Sequence, residues 1–240
     1  MIRALACVLA LIASKATAVT CNDATFDGHS FTACTVDATT EDLRLFHRDA
    51  SGQVLGGWNA LSTQIAPQSL AFAMNAGMYH DDRRAVGLFI KDGVETAPLV
   101  TQKGPGNFGL LPNGVFCLTD TSARVIETLA YDRQRPACRD ASQSGPMLVI
   151  GGKLHPRFLA DSPSVHIRNG VGTSADGHTA IFAISNDPVN FHTFARFFRD
   201  VAKTPDALFF DGSISRLYAP ALHRADFGFA ALGPMVGVVQ

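Results

Sequence analysis

Short runs of β-forming residues, most of them bounded by Gly, Asp, Asn or Pro, recur along this 240-residue chain. Runs of this length and with these boundaries are typical of β-strands. They do not alternate with helical segments in the rhythm that parallel strands require, so the strands should pair mainly antiparallel. Asp176-Gly177 predicts a tight hairpin turn between two of them. The sequence therefore predicts an α+β fold in a single domain, with mostly antiparallel or mixed β-sheets and a few packed helices. The predicted strands are Leu43–His47, Leu70–Met74, Val86–Ile90, Val115–Leu118, Arg124–Thr128, Met147–Ile150, Val165–Val171, Thr179–Ile184, Ala207–Phe210 and Met235–Val239.

Two segments have helical periodicity instead. Between Asn190 and Lys203, four phenylalanines and Val201 recur at intervals of three and four residues, and Asn190 can cap the helix. This apolar face predicts core packing rather than a cofactor pocket. A weaker helical segment covers Trp58–Ile65 and is stopped by Pro67.

Composition narrows the class of protein. Hydrophobic residues make up 47% of the chain, which is enough for a buried core and excludes disorder as the main state. The chain has 20 Lys and Arg against 21 Asp and Glu, so nothing favours a nucleic-acid partner. No apolar run reaches the roughly 18–20 residues of a membrane-spanning helix.

The first residues have the pattern of a secretory signal peptide. Arg3 supplies the positive start, Ala4–Ala13 is an apolar stretch, and Ala16-Thr17-Ala18 is a small-x-small cleavage site. We therefore expect residues 1–18 to be removed, and the mature chain to begin at Val19 and to be exported, either to a periplasm or to the medium. The alternative is a buried first helix.

Four cysteines remain after this cleavage: Cys21, Cys34, Cys117 and Cys138. An even number in an exported protein indicates two disulfides, for which three pairings exist. We favour Cys21–Cys34 and Cys117–Cys138 because each closes a modest local loop, the first fixing the new N-terminus to a strand around Phe31–Val36. A cysteine metal site fits poorly, since the chain has no C-x-x-C motif.

Three familiar motifs are absent or incomplete. His80-Asp81-Asp82 cannot direct three adjacent side chains to one metal ion, so a solvated turn between two strands is the better interpretation. Gln143–Pro146 lacks the G-x-S-x-G pattern of a nucleophile elbow. Gly151–Leu154 has Leu where a phosphate loop needs Ser or Thr. Serine-triad and nucleotide-hydrolase chemistry are therefore disfavoured.

Two polar groups adjoin apolar strands and are candidates for binding. Asn75 ends the run that begins at Ala71, and Gly77 follows it, so the Asn75 amide could offer both a donor and an acceptor. Ser142–Pro146 lies just before another apolar strand, where its glycine and proline would direct Gln143 and the next serine into a cleft. The alternatives are a turn-making asparagine and local bonds to the backbone.

A third candidate is the segment Val165–Gly172. Alternation along a strand would place His166, Arg168, Gly170 and Gly172 on one face. The two glycines would leave room above the sheet beside Arg168, which could hold an anion through two parallel hydrogen bonds. The alternative is an arginine paired with a structural carboxylate.

The fourth candidate is Leu208–Ser215, in which an apolar strand ends at Asp211 and Gly212 turns the chain. A carboxylate at the end of a buried strand is a common arrangement for a catalytic acid or base. The alternative is an aspartate that accepts hydrogen bonds from the backbone of the turn.

In this order, the four segments resemble motifs of the phosphodiester glycosidase family, and the match is closer to an uncharacterised bacterial exported branch of it. The resemblance covers about Leu43–Val239, so residues 43–240 form the predicted domain and residues 19–42 an N-terminal segment. The counterparts of the family motifs are Asn75-Ala-Gly77, Gln143-Ser-Gly-Pro146, Arg168-Asn-Gly-Val-Gly172 and Asp211-Gly-Ser-Ile-Ser215. The segments shared with the bacterial branch are Asn75–Asp82, Pro112–Phe116, Ile167–Gly172, Pro188–Phe191 and Ile214–Tyr218.

The resemblance implies an exported hydrolase that cleaves a sugar-1-phosphodiester at the anomeric carbon, with a small-molecule or glycan phosphodiester as its substrate. Ser213 and Ile214 replace two glycines of the family's late turn, and Asn169 replaces a threonine. An isoleucine there would narrow the space beside Asp211. Two alternatives therefore stay open: a non-catalytic module that binds a glycan or phosphoglycan, and a metal-dependent hydrolase that combines His80-Asp81-Asp82 with Asp211.

Under the glycosidase hypothesis, Asp211 is the base or nucleophile, Arg168 binds the phosphate, and His166 is a candidate proton donor, although a lone histidine is as often structural. No cofactor is expected, with calcium left open because Asp and backbone carbonyls can bind it without a linear motif. The predicted substrate-binding residues are Asn75, Gly77, Gln143, Ser144, Gly145, Asn169, Gly212, Ser213 and Ser215.

Overall fold

The computed structural model of the chain describes residues 19–211 and 213–240. The predicted signal peptide and Gly212 lie outside the described residues. Among those described, no helix is long and apolar enough to cross a membrane. The strands β1 to β17 are, in chain order, Thr20–Phe26, His29–Asp37, Asp42–Phe46, Leu70–Asn75, Phe89–Lys91, Val94–Ala97, Gly114–Leu118, Ala123–Glu127, Asp140–Ser144, Met147–Ile150, Lys153–Leu154, Asn169–Thr173, Thr179–Ser185, Asp206–Asp211, Leu217–Ala219, Arg224–Ala225 and Met235–Val239. The α-helices α1 to α3 are Trp58–Ile65, Thr128–Gln134 and Phe191–Arg196, with a π-helical turn Phe197–Val201 after α3 and a 3-10 turn Pro220–Leu222.

The strands form three sheets in which every pairing is antiparallel. Sheet I has seven strands in the order β1-β2-β13-β12-β14-β10-β11. Sheet II has the order β16-β15-β4-β17-β3, and sheet III has the order β6-β5-β9-β7-β8. The predicted α+β class with antiparallel sheets is therefore confirmed.

The three sheets share one central core, which makes the fold a single compact domain. Phe182 of sheet I lies at its centre, with ring centroids 4.9 Å from Phe72 of sheet II and 5.8 Å from Phe116 of sheet III. Each helix covers the outer face of one sheet: α3 packs on sheet I, α1 on sheet II and α2 on sheet III. Burying each large apolar side chain contributes about 1.5–3 kcal/mol, so the sheets are held together mainly by this shared cluster.

The predicted strands all overlap strands of the structure. The largest differences are at Val86–Ile90, of which only the end belongs to β5, and at Val165–Val171, where β12 begins only at Asn169. The predicted hairpin turn is confirmed, because Gly177 between β12 and β13 donates its N–H to the carbonyl of Ser174 over 3.0 Å.

Both predicted helices are present. The helix α1 has the predicted bounds. The Asn190 side chain caps α3 by accepting the N–H of Thr193 over 2.9 Å, but the α-helix ends at Arg196 and continues as the π-helical turn. The phenylalanine stripe packs on sheet I, since Phe194, Phe197 and Phe198 are buried there, as predicted for core packing.

The N-terminal hairpin belongs to sheet I, because β2 pairs with β13 along its length. Cys21 lies opposite Cys34 in the register of β1 and β2, and these two residues form one disulfide. Cys117 of β7 and Cys138 form the other. The favoured cysteine pairing is therefore confirmed, and the division of the chain at residue 43 stays a prediction.

Candidate functional site

Three strand ends from two sheets meet at one place, which is the candidate active site. The strand β4 of sheet II ends at Asn75, β12 of sheet I begins at Asn169, and β14 ends at Asp211. A register shift in the β12–β14 pair sets Asn169 opposite Asp211 and Gly170 opposite Phe209. Because paired residues of antiparallel strands direct their side chains to the same face, Asn169 and Asp211 share a face.

Two buried asparagines join the sheets at this point. The Asn169 amide donates from Nδ2 to the backbone carbonyl of Asn75 over 2.8 Å, and the Asn75 Nδ2 lies 3.4 Å from the Asn169 Oδ1. Both residues are completely buried. An unpaired amide would cost about 1–3 kcal/mol here, so these bonds fix the relative position of the strand ends.

The same two asparagines also hold the turn that follows Asp211. The Asn75 Nδ2 donates to the carbonyl of Ile214 over 2.7 Å, and the Asn75 Oδ1 accepts the N–H of Arg216 over 2.8 Å. The Ser215 hydroxyl lies 3.2 Å from the Asn169 Oδ1. One asparagine side chain therefore spans the turn, while the other reaches it through Ser215.

The carboxylate of Asp211 is fixed within this turn. Its Oδ1 accepts the N–H of Ser213 over 2.8 Å, and the backbone N–H of Asp211 lies 3.3 Å from the Asn169 Oδ1. The residue is only 8% exposed. A bond from the turn backbone is what the structural alternative for Asp211 predicts, and it also orients the carboxylate, which acid–base chemistry requires.

The charge of this carboxylate acts on Tyr79. Burial raises the pKa of the Tyr79 hydroxyl, and the negative charge of Asp211 raises that pKa further, while Arg83 and Arg216 act in the opposite direction. Tyr79 was not a candidate from the sequence, although it lies in the shared segment Asn75–Asp82. An aromatic residue four positions after a candidate asparagine was the available signal.

A cleft of about 510 Å³ opens beside the turn. Ile214 lines it and also packs against the apolar cluster under α1, so part of its side chain is directed away from the cleft. The expectation that Ile214 narrows the space beside Asp211 stays a prediction. The residues lining this cleft are Ile167, Ser213, Ile214, Ser215, Arg216, Asp226 and Phe227.

Arg168 lies on the opposite face of β12 from Asn169. Its guanidinium stacks over the ring of Phe191 at 3.7 Å and lies 5.5 Å from that of Phe209. The expectation of open space above the glycines of this face is wrong, because the π-helical turn and the strand behind it fill that space. A Cβ at Gly172 would overlap Phe198 and Thr204, and one at Gly170 would lie 2.5 Å from the carbonyl of Leu208.

The Arg168 side chain is completely buried and is bonded to backbone carbonyls rather than to a structural carboxylate. Its Nε donates to Val189 over 2.8 Å and its Nη2 to Ser164 over 2.9 Å. Within the described residues its Nη1 has no hydrogen-bond partner, and burial lowers the pKa of Arg168 to about 10. The phosphate-binding role of Arg168 stays a prediction, and this geometry does not bring it to the Asp211 turn.

Gln143 and Ser144 lie at the end of β9 in sheet III and differ in their relation to the site. The Gln143 side-chain amide forms hydrogen bonds within the protein. Its Nε2 donates to the carbonyl of Val100 over 2.7 Å, and its Oε1 accepts the N–H of Leu88 over 3.1 Å. Ser144 instead donates its hydroxyl to the carbonyl of Phe210 over 2.7 Å, one residue before Asp211. Ser144 therefore supports the end of β14 beside Asp211, and Gln143 holds a loop of sheet III.

Of the three candidate glycines, Gly212 lies outside the described residues, and the other two, Gly77 and Gly145, lie where two segments approach closely. A Cβ at Gly77 would lie 2.5 Å from the Ser142 hydroxyl, and one at Gly145 would lie 2.5 Å from the Asn113 Cβ. His166 is exposed and pairs through its backbone with Val189, with 3.1 and 2.9 Å hydrogen bonds. The role of His166 as a proton donor stays a prediction.

The segment His80-Asp81-Asp82 forms an exposed turn, as expected. The turn is closed by the N–H of His80, which donates to the Arg84 carbonyl over 2.8 Å, and Asp82 pairs with the Arg84 side chain at 2.6 Å. Over residues 19–211 and 213–240, no three His, Cys, Asp or Glu side chains converge as metal ligands would.

Comparison with known proteins identifies the family. The model of the phosphodiester glycosidase family matches residues 68–238, which is more than half of the chain. The chain belongs to the phosphodiester glycosidase family. Asn75, Asn169 and Asp211, which meet in the candidate site, all lie within the range that the family model matches.

Relatives and solved structures agree with this membership. The uncharacterised protein YigE of Escherichia coli K12 is 33% identical over 187 residues, which cover 78% of this chain and 73% of YigE. The catalytic domain of zebrafish N-acetylglucosamine-1-phosphodiester alpha-N-acetylglucosaminidase, auto-inhibited by its pro-peptide, superposes with a TM-score of 0.66 at 15% identity. That match covers 94% of this chain and 84% of the zebrafish chain. A hypothetical protein from Synechocystis has a TM-score of 0.59 at 13% identity, covering 92% of this chain and 61% of that one. These structural likenesses show that the chain shares its fold with proteins of low sequence identity.

Proposed function

We propose that this phosphodiester glycosidase is an exported hydrolase that cleaves the bond between the anomeric carbon of a sugar and the oxygen of a phosphodiester. The observation that carries the proposal is the Asp211 turn. The N–H of Ser213 holds a nearly buried carboxylate there, and Asn75 and Asn169 hold the backbone of the same turn, beside a cleft of about 510 Å³. Clefts of this volume suit small ligands.

The chemistry requires one oriented carboxylate and a positive charge. Cleavage breaks the bond from C1 to oxygen, water supplies the new hydroxyl on C1, and a phosphate monoester leaves with the bonding electrons. Because that leaving group is already a stable anion, it needs less protonation than a sugar alcohol, and a cation can replace part of the work of a general acid. We assign Asp211 as the base that activates water or as the nucleophile that attacks C1.

The surrounding polar residues would then position the carboxylate and the sugar. The side-chain amides of Asn75 and Asn169 already form hydrogen bonds to backbone groups of the protein. In the proposal they therefore hold the turn rigid rather than bind the sugar. Ser213 is exposed beside the carboxylate and is the better candidate for contact with sugar hydroxyls. Rigid support of this kind is what makes an oriented carboxylate effective.

Two independent features support export. The two disulfides are of the kind that persists in oxidising compartments, and residues 1–18 have the pattern of a signal peptide. Mass spectrometry of the protein from the periplasm or medium of an expressing bacterium would test this, with Val19 as the expected first residue. A cytoplasmic protein that keeps residue 1 would contradict export.

The activity is tested by release of free sugar from a panel of sugar-1-phosphodiesters by residues 19–240. Asp211→Asn should reduce release by at least about 100-fold, on the scale of a lost acid or base. The matched control is Asp176→Asn, because the exposed Asp176 accepts the N–H of His178 over 2.9 Å in the same local geometry. The control variant should release sugar at the wild-type rate.

The assay is run with EDTA and with added calcium, because the proposal includes no cofactor. Loss of release with EDTA would replace the proposal with a metal-dependent hydrolase. No release from any diester, together with a melting temperature raised by the diesters, would replace it with the binding module. Equal release by wild type and Asp211→Asn would remove Asp211 from the mechanism.

A further inference from the structure

Another cleft, of about 440 Å³, is lined by the end of β3 in sheet II and by β5 and β6 in sheet III. The hairpin of residues 78–86, which follows Asn75, also lines it. The volume lies within the roughly 300–1,000 Å³ of small-ligand sites. This lining has no residue in common with that of the cleft beside the Asp211 turn. The protein therefore offers a second place for a ligand.

All ionisable side chains of this lining are basic, and we call the space the basic cleft. Within the described part of the chain, no Asp or Glu lines it. A cleft that presents one sign of charge between low-dielectric walls concentrates ligands of the opposite charge. The lining therefore favours an anion. Its basic residues are His47, Arg48, His80, Arg84 and Lys91.

The carboxylates that pair with two of these cations lie outside the lining. Lys91 lies 2.8 Å from Asp92 and 3.3 Å from Asp140, so two carboxylates neutralise its ammonium group. Arg84 pairs with Asp82 at 2.6 Å, but both side chains are exposed, and an ion pair in water contributes little. The guanidinium of Arg84 therefore remains available to a ligand.

Arg48 has no carboxylate partner among residues 19–211 and 213–240. Its Nη1 donates to the neutral carbonyl of Gly52 over 2.8 Å. The neighbouring His47 donates from Nε2 to the Arg83 carbonyl over 2.7 Å. Burial lowers the pKa of His47, the bond to Arg83 raises it, and the charge of Arg48 lowers it, so the imidazole is neutral at pH 7. The positive charge on this side of the basic cleft is therefore that of Arg48.

The rest of the lining is largely apolar. Phe46 and Phe89 line the basic cleft and are otherwise almost completely buried. Val86, Ala97 and Pro98 add aliphatic surface to the same lining. Apolar surface that a ligand covers is removed from water, which favours binding. The basic cleft therefore suits a ligand with an apolar body as well as a negative charge.

A β-bulge in the edge strand β6 shapes this lining. The register pairs Phe89 with Ala97 and Ile90 with Glu95, so Thr96 is an extra residue. In a regular strand Thr96 and Ala97 would face opposite sides, but both line the basic cleft. Bulges are common next to functional sites, where they redirect a side chain.

We propose that the basic cleft binds an anionic amphiphile as a free small molecule, with its apolar body against Phe46 and Phe89 and its carboxylate or phosphate head group on Arg48 and Arg84. The N–H groups of a guanidinium match the oxygens of either head group in pairs. This inference goes beyond the proposed function and does not rest on it, because it assigns a second ligand to a separate site.

The test is isothermal titration calorimetry of the purified protein with probes below the concentration at which they form micelles. The probes are octanoate, octyl phosphate, octanol, octylammonium and acetate. Octanoate, octyl phosphate or both should bind at least about tenfold more tightly than the other three, because only these two combine an apolar body with an oxyanion. Equal affinity for octanol or octylammonium would overturn the anionic assignment, and equal affinity for acetate would overturn the apolar body. No binding of any probe would overturn the inference.

Variants locate the site. Arg48→Gln with Arg84→Gln should weaken binding of the tighter anion about tenfold, whereas the control Arg157→Gln, outside the cleft, should bind as wild type. Thr96→Trp fills the cleft and should abolish binding, whereas the control Glu95→Trp alters a neighbour that does not line it. All five positions are exposed, so the melting temperatures should stay at the wild-type value. Equal affinity within either pair of variants would overturn the site.

Asp211→Asn keeps this inference separate from the proposed function. The variant should bind the anion as wild type does, whether or not the protein hydrolyses a diester. Displacement of the anion by a sugar-1-phosphodiester would place it in the substrate site and overturn the separate one. Binding to phosphatidylglycerol vesicles without binding of the dissolved probes would overturn the assignment to a free small molecule.

Discussion

Replacing Asn169 by alanine should separate the strand ends that form the site. The change removes the donor to the Asn75 carbonyl at 2.8 Å and the acceptor 3.3 Å from the N–H of Asp211, so two buried hydrogen bonds are lost. Each loss at a buried group costs about 1–3 kcal/mol, so the unfolding free energy should fall by about 3 kcal/mol. For a chain of this size, that corresponds to a melting temperature lower by about 6–12 °C.

Asn169→Asp is the sharper variant because it changes one atom. The acceptor for Asp211 stays, but the donor to the Asn75 carbonyl becomes an oxygen, and a second negative charge lies beside Asp211. We expect it to be at least as destabilising as Asn169→Ala. The control is Asn107→Ala, at an exposed asparagine, which should melt within about 1 °C of wild type.

The measurement is thermal unfolding followed by circular dichroism at two wavelengths, with urea unfolding at 25 °C to obtain the free energy. Sugar release is measured on the same samples at a temperature where each variant is folded. A melting temperature for Asn169→Ala within about 2 °C of wild type would show that these buried bonds are not what joins the strand ends, and the argument for a rigid Asp211 turn would fail with it.

Three further predictions concern the rest of the chain. Replacing Cys117 and Cys138 together by alanine should lower the unfolding free energy by about 3 kcal/mol, from the 21-residue separation that the disulfide closes, and an unchanged urea midpoint would contradict this. Arg168→Ala should lower the unfolding free energy by about 2–4 kcal/mol, because it removes the donors to the carbonyls of Val189 and Ser164 and leaves a space over Phe191; unchanged stability with lost activity would instead favour a role in phosphate binding. Burial lowers the pKa of His155 below its ordinary value of 6.5, so the unfolded chain binds this proton more strongly, and stability that is present above pH 6.5 is lost as the pH falls below it. Unfolding free energies measured from pH 8 to 5 should fall with acidification, and less steeply for His155→Phe; identical slopes would refute the assignment.

Two residues of the candidate site could be selected from the sequence because each is a polar residue at the end of an apolar run. Asn75 and Asp211 are the last residues of β4 and β14, and each was selected because a buried strand delivers it to an edge. Asn169 was selected for its neighbours in the motif rather than for its own position. That all three meet was not deducible from any one segment, since Asn75 and Asn169 are 94 residues apart.

Two of the elements that were not predicted, α2 and β9, have signals that are short or polar. The helix α2 has seven residues, too few for periodicity, and its start is set by the Glu127 side chain, which accepts the N–H groups of Leu129 and Ala130 at 3.0 and 2.9 Å. The strand β9 reads Asp-Ala-Ser-Gln-Ser and is buried throughout. Its polar side chains are satisfied by distant backbone, as when Asp140 accepts the N–H of Asp92 over 3.0 Å.

Arg168 shows a further limit of strand patterns. Alternation correctly placed Arg168 on the same face as Gly170 and Gly172, but it could not show what covers that face. The π-helical turn after α3 does so, with Phe198 against Gly172. A glycine on a strand can open a cleft or admit a packed neighbour. Here the neighbour comes from a segment about 25 residues further along the chain, so the alternating pattern of the strand alone could not predict it.

The joining of sheets I and II at Asn75 and Asn169 also sets when the site exists during folding. The bonds from Asn75 to Asn169 and to Arg216 close loops of 94 and 141 residues, and contacts of such long range form late, after the local hairpins of each sheet. A chain whose hairpins have formed but whose strand ends have not met would therefore keep part of its far-ultraviolet spectrum and lack the candidate site. The proposed hydrolysis should consequently report the meeting of sheets I and II, and it should disappear in mild denaturant before the strands themselves are lost.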